Sequence, residues 1–284
     1  NGNLLAVNTL TSYKALGTSP FNRLAAITLM ISALMLASCV SIATEGESGH
    51  GSADENQSHT FQVGDNPTID VTGFNGVVEI IAGPDGEVKV ESKLKIPSRV
   101  SYSASLSGNT VTIVAKKIGS GFTIGRSPSA EIHLVVPARA TIIARTSNGA
   151  IVVDGISGNG ELDSSNGSIS VNDVEGEYIS STSNGSVNMS NISGQFEAHS
   201  SNGNIVFSGS FDAHSDNRFT TSNGSITVEF QDDPNIEIDA QTSNGTVETE
   251  LPILATATSK KTRLEGIYGD GSATLEMTTS NGSI

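Results

Sequence analysis

The tripeptide Ser-Asn-Gly occurs seven times, with its asparagine at Asn148, Asn166, Asn184, Asn202, Asn223, Asn244 and Asn281, and Ile or Val always stands two residues after the glycine. Successive asparagines lie 18, 18, 18, 21, 21 and 37 residues apart. A fixed short period that first absorbs a few extra residues and then skips about one unit marks an array of stacked structural units with insertions in their loops.

The residues around each asparagine alternate. Two places before it stands Thr or Ser: Thr146, Ser164, Thr182, Ser200, Thr221, Thr242 and Thr279. Four places before it the residue is small or apolar, as at Ala144, Leu162, Ala198, Phe219 and Met277, and the intervening positions are polar, as at Glu161 and Asp163. Period two is the signature of a half-buried strand. After the corner, Ile151, Ile169, Val187, Ile205 and Ile226 open a second strand, followed two residues on by Val153, Val171, Met189, Phe207 and Val228. The pairs Asn148-Gly149, Asn166-Gly167, Asn184-Gly185, Asn202-Gly203, Asn223-Gly224, Asn244-Gly245 and Asn281-Gly282 therefore read as structural turns. The expected reason is backbone conformation, since glycine accepts positive φ and asparagine tolerates it. A second bend recurs at Gly158, Gly176 and Gly194, again 18 apart.

Two topologies fit a unit of strand, corner, strand, corner. Asn-Gly between alternating strands is a hairpin signal, which would give an antiparallel β-meander. A parallel β-solenoid of about 18-residue coils instead places identical residues one above another, so that Asn and Thr/Ser files can bond up the stack. The identity of the repeated residues favours the all-β parallel solenoid. One unit cannot bury enough apolar surface to fold alone, so the array needs neighbours and capped ends.

The chain ends carry different information. Residues 1–38 contain Lys14 and Arg23, no acid, and an apolar stretch from Leu24 to Ala37 that leads to Leu36-Ala37-Ser38-Cys39. This resembles a bacterial lipoprotein signal peptide, since the apolar core is too short for a spanning helix. The resemblance implies cleavage before Cys39, which is the single cysteine, and attachment of lipid to it. With Val40 next, it also implies the outer membrane in an organism with two membranes. Residues 39–60 are rich in Ser, Gly and acid and read as a disordered tether. At the other end the sequence stops at Ser283-Ile284 within a repeat, which reads as a C-terminal truncation.

Residues 61–145 alternate without the 18-residue register and read as an N-terminal β-rich cap, in which Asn75 carries the inward positions of a degenerate unit. Residues 146–284 are the solenoid. The 37-residue step before Asn281 holds Lys260, Lys261 and Arg263 and is expected to replace one corner with a loop.

Removal of residues 1–38 leaves thirteen basic and thirty acidic residues, a net charge of −17. Such a surface repels nucleic acid and anionic headgroups, so the expected membrane contact runs through the lipid. No nucleic-acid partner is expected, and an envelope protein or glycan partner is left unnamed.

A strand-rich lead-in ending in Val136-Pro137, the repeated Thr-Ser-Asn-Gly-x-Ile units and Gly269-Asp270-Gly271 before the last Ser-Asn-Gly together resemble the bacterial putative-adhesin domain family, similar to the head-GIN domains. The resemblance spans roughly residues 60–284. It implies a β-solenoid on the cell envelope and brings no catalytic residues.

The residue pattern calls for no cofactor and no metal. His50, His59, His133, His199 and His214 are scattered rather than set at ligand spacing. The pairs Glu161/Asp163 and Glu175/Glu177 sit on outward positions; they read as solubilising charges, with acid/base work on a polysaccharide as the rival. Ice binding is weaker, because the Thr file is expected to point inward. The sequence thus points to a non-enzymatic, lipid-anchored envelope protein serving adhesion or scaffolding, with a polysaccharide-degrading β-helix enzyme as the alternative.

Overall fold

The computed structural model describes residues 54–119 and 127–284, with the side chains of 254–260 outside that description. The signal peptide, Cys39, His50 and most of the tether lie outside the described residues. Those described form twenty strands and one 3-10 turn, Pro97–Arg99.

The repeat folds as parallel coils. Gly160–Ser164 pairs in parallel with Thr141–Thr146 on one side and Glu175–Thr182 on the other, with Leu162 opposite Ala144 and Ser180. After the corner, Ile169–Asn172 pairs in parallel with Ile151–Asp154 and with Val187 onward, so that Ile151, Ile169 and Val187 are neighbours. Each 18-residue step is one rung. Every coil thus contributes one strand to a first face, before the Asn-Gly corner, and one to a second face after it. The antiparallel meander is excluded within the array, because hairpin turns would have reversed alternate strands.

Inward side chains form files. On the second face Ile151, Ile169, Val187, Ile205 and Ile226 are buried, as are Val153, Val171, Met189 and Phe207. On the first face Ile142, Gly160, Tyr178 and Phe196 share one inward file, and Ala144, Leu162, Ser180, Ala198 and Phe219 the next. Within the first of these files a small residue makes room for a large neighbour: a Cβ on Gly160 would lie 2.3 Å from the Tyr178 ring. Further along, Phe196, Phe207, Phe211, Phe219 and Phe230 pack with ring centroids 4.7 to 6.5 Å apart, and this aromatic cluster fills the 21-residue coils.

Stack order departs from chain order at the last repeats. Asp216–Asn223 pairs in parallel with Ala273–Asn281, which in turn pairs with Ile236–Asn244. The Asn281 coil therefore lies between the Asn223 and Asn244 coils. The 37-residue step was expected to exchange a corner for a loop; instead it forms an antiparallel hairpin, Leu254–Lys260 with Arg263–Tyr268, which pairs along Ile236–Asn244 before the chain returns to the vacant rung. Backbone groups on that edge gain partners from the hairpin.

At the other end Thr68–Thr72 and Val78–Gly83, flanking Asn75, form a coil beneath the Asn148 coil. Thr110–Lys117 and Ser129–Pro137 add one more parallel rung below it. Antiparallel strands then close both faces: Val100–Ser107 on the first, and Glu87–Lys95 followed by Glu55–Gln62 on the second. The last pairing corrects the tether boundary, because Glu55 to Thr60 is strand, not disordered linker. Low hydrophobicity argued for disorder, but an edge strand needs only its backbone paired and one inward residue, here Phe61, which is buried.

Candidate functional site

The feature that recurs in seven coils is the Ser-Asn-Gly corner, and its Asn amide and the Thr/Ser hydroxyl beside it bond chiefly to the neighbouring coils. Asn166 Nδ2 donates to Asn148 Oδ1 at 2.8 Å, Asn184 to Asn166 at 2.7 Å, Asn202 to Asn184 at 2.9 Å and Asn223 to Asn202 at 2.9 Å. The file continues in stack order, with Asn281 donating to Asn223 and Asn244 to Asn281, both at 2.9 Å. At its start Asn148 donates to Asn75 Oδ1 at 2.8 Å, and Asn75 donates to the Pro128 carbonyl at 3.0 Å. Asn75 is a true member of the array, and eight amides form one ladder.

The Thr/Ser file lies inside the corner, as expected, and closes it. Ser164 Oγ donates to the Gly149 carbonyl at 3.0 Å and accepts from Gly167 N–H at 2.8 Å. Thr182, Ser200, Thr221, Thr279 and Thr242 repeat the bond to the glycine carbonyl of the adjacent coil at 2.7 to 2.9 Å. A buried hydroxyl that both donates and accepts satisfies three polar groups that would otherwise be orphaned.

The reason expected for glycine here is wrong. The glycines of the seven repeats do not have positive φ. What forbids a side chain is the neighbouring coil: a Cβ on Gly167 would lie 1.7 Å from the Gly149 carbonyl oxygen. Positive φ belongs to the return corner, where Gly176 has φ +137° and also abuts the Gly158 carbonyl. A further left-handed file, Gly155, Asp173 and Asn191 with φ of 75°, 51° and 55°, turns the second strand back toward the first face. Sequence reading passed over it although these three residues share the 18-residue step.

The outward carboxylates do not converge. Glu161 is held by Arg145 at 2.7 Å, with Asp70 on the same guanidinium at 3.9 Å. Glu276 pairs with Arg218 at 2.7 Å, while Arg263 binds Asp239 and Glu265. Asp163, Glu175 and Glu177 are exposed, and no group of three or more His, Cys, Asp or Glu suited to a metal occurs among the described residues. His133 meets Glu79 at 2.7 Å, His59 stacks between Phe61 and Tyr102, and His199 and His214 are exposed. In the cap, the hydrogen bond from Lys95 holds the Glu131 carboxyl below the ordinary carboxylate range. Burial pushes the Tyr178 phenol far above its ordinary value, and its hydroxyl is buried without a partner among the described residues.

Coils held in register by one amide ladder and one hydroxyl ladder define a parallel β-solenoid built on a Ser-Asn-Gly repeat. The chain belongs to the family described as Toastrack DUF4097, whose model matches residues 129–284. Among solved structures it is similar to a putative cell adhesion protein from Clostridium sporogenes, with 10% identity, a TM-score of 0.38, and 81% of this chain and 98% of that one covered. A putative adhesin from Bacteroides fragilis shares 13% identity at a TM-score of 0.32, covering 64% of this chain and 97% of that one. A protein from Parabacteroides distasonis, described as a putative lipid binding protein, shares 12% identity at 0.31 and covers 81% and 96%. Among curated proteins none matches this chain.

Proposed function

We propose that this chain is a non-enzymatic component of a bacterial cell envelope, tied to the membrane by an acylated Cys39 and displaying the solenoid as a surface for adhesion or for organising the envelope. The outer membrane is the expected site in an organism with two membranes. One observation carries the reading: the ladder of Asn amides and six of the seven inward Thr/Ser hydroxyls are consumed in holding adjacent coils together. Repetition of this kind serves rigidity and display. The signal-like segment before Cys39 and the net charge of −17 after residue 38 support attachment through lipid rather than through the folded surface.

The test is fractionation of cells expressing the chain. Wild-type protein is expected in the membrane fraction, with unprocessed precursor accumulating under globomycin, and Cys39→Ala is expected to release it. Equal partitioning of both forms would remove the anchor. The polysaccharide-degrading reading needs carboxylates that act together, whereas Glu161 is engaged by Arg145. Oligosaccharide release from envelope polymers, lost on changing one carboxylate, would restore it.

A further inference from the structure

Charge is divided unevenly along the stack. Residues 54–145 hold nine basic and nine acidic residues, whereas residues 146–284 hold four and nineteen. The excess of acid therefore sits in the repeat array, and the cap is neutral. Within the cap the basic residues are gathered as well. Lys93 and Lys95 end the strand Glu87–Lys95, and Arg99 closes the turn Pro97–Arg99. Lys116 and Lys117, at the end of Thr110–Lys117, are the register neighbours of Ser101 and Val100, where the strand after that turn begins. Five of the nine thus share one corner, at the end of the stack opposite the Asn244 coil.

The acids at that corner are Asp54, which pairs with Lys93 at 3.5 Å, Glu131, which holds Lys95, and Glu55. Lys116 and Lys117 are exposed. Ile118 follows them and is 49% exposed, the most of any large apolar side chain among the described residues. Its N–H donates to the Arg99 carbonyl at 2.8 Å, which sets an apolar tip beside the cations. The chain from Cys39 enters the fold at the same place: Glu55 is the register neighbour of Leu94, and fourteen residues separate Cys39 from Asp54. A linker of that length reaches at most about 50 Å, so it leaves the fold free to turn any side to a membrane. Charge must choose the side.

We infer that this corner docks on the bilayer that holds the anchor, through anionic phospholipid headgroups, and so orients the solenoid with its acidic array away from the membrane. The inference rests on the acylated Cys39 proposed above. One basic residue at an anionic surface is worth about fivefold in binding, so Lys116 and Lys117 together supply roughly thirtyfold. That is too little to hold a freely diffusing protein, but it orients one already kept at the surface by lipid. The Asn148 coil lies three rungs from Val100–Ser107. At strand spacing this is about 14 Å, beyond a Debye length of about 8 Å, so with the corner down the array's acids escape most of the repulsion. Any other orientation brings them closer. Glu45 and Glu47 of the linker are repelled alike in all of them.

The test uses the acylated, processed chain reconstituted into phosphatidylcholine vesicles with or without phosphatidylglycerol. Acylation leaves Cys39 without a thiol, so Ser101→Cys carries a single fluorophore at the corner and Ser243→Cys carries one at the far end, both at exposed positions. Quenching by a lipid with a quencher on its headgroup is expected at the Ser101 site, with phosphatidylglycerol present, and not at the Ser243 site. Lys116→Glu combined with Lys117→Glu should lower the ratio of docked to undocked molecules roughly tenfold or more, and high salt should lower it likewise. Lipid and salt change nothing in the protein, so they decide the matter even if the double variant folds poorly. If the protein floats with the vesicles, the docking is overturned by quenching that is absent at both sites, equal without phosphatidylglycerol, insensitive to salt, or as strong at the Ser243 site. A protein that floats with neither vesicle overturns the anchor itself, and the docking with it.

Discussion

Gly167 and Ser164 show at residue scale what the repeat requires. A Cβ at Gly167 meets a carbonyl oxygen at 1.7 Å that belongs to the backbone of the next coil and cannot swing aside. Gly167→Ala is expected to cost about 3 kcal/mol or more, as an overpacked core site does. Gly108→Ala serves as the control, because its φ is +61° with no atom within 4 Å, and its cost should be about 1 kcal/mol. Urea unfolding of the two variants measures the difference. Tyr178→Phe should be neutral or stabilising by up to about 1 kcal/mol, since it removes a buried hydroxyl that has no partner. It also has a pH signature. The folded phenol ionises far above its ordinary value of 10.0, so wild-type loses stability as pH rises past the unfolded value, where the unfolded chain alone releases the proton. That part of the alkaline loss should be missing from the Phe variant when unfolding is compared at pH 8 and at about pH 11.

At the scale of the element, the position of the last coil is the least expected feature. Thr220 is the register neighbour of Thr278, and Thr278 of Gln241, so Thr220 and Gln241 are two rungs apart although their repeats are consecutive in sequence. With Ser in place of Cys39, the pair Thr220→Cys and Thr278→Cys should form a disulfide under mild oxidation, and the pair Thr220→Cys and Gln241→Cys should not, because one rung lies within bridging distance and two do not. Mass spectrometry of the non-reduced protein reads the outcome. The Asn ladder gives a second measurement at this scale. Asn184 donates to Asn166 and accepts from Asn202. Asn184→Asp keeps the shape but replaces the donor with a charge facing an oxygen, and should cost about 1–3 kcal/mol by urea unfolding.

The whole molecule is assembled from interchangeable rungs, and that has a consequence for deletions. Removing residues 167–184 takes out one full period, so Gly185 would follow Asn166 and the Asn202 coil would stack on the Asn166 coil. The shortened chain should keep its far-ultraviolet circular dichroism and unfold at lower denaturant concentration, in line with a sum over neighbouring interfaces. Removing nine residues instead turns the inward files outward or splits a corner, and should abolish cooperative unfolding.

The interior of the array was legible in the sequence because a parallel stack imposes the same contacts on every unit. A fixed 18-residue step with Asn at one offset and Thr or Ser at another favoured coils in register over a meander, and Asn75 was recognisable by the same inward positions. Three things were not legible. Glycine in Ser-Asn-Gly is demanded by a neighbour 18 residues away, a steric relation that a local reading takes for a backbone preference. Glu55 to Thr60 is ordered by a partner strand and has no pattern of its own. Chain order could not reveal that the Asn281 coil lies between its two predecessors. Sequence by itself determined what one rung looks like, because the corner Asn, Gly and Thr or Ser answer to like residues above and below, and the inward positions keep their alternation. Only the tertiary structure decided how the rungs are ordered, because that depends on which free edge a distant segment reaches, and edges with equivalent hydrogen-bonding groups are indistinguishable to a local pattern.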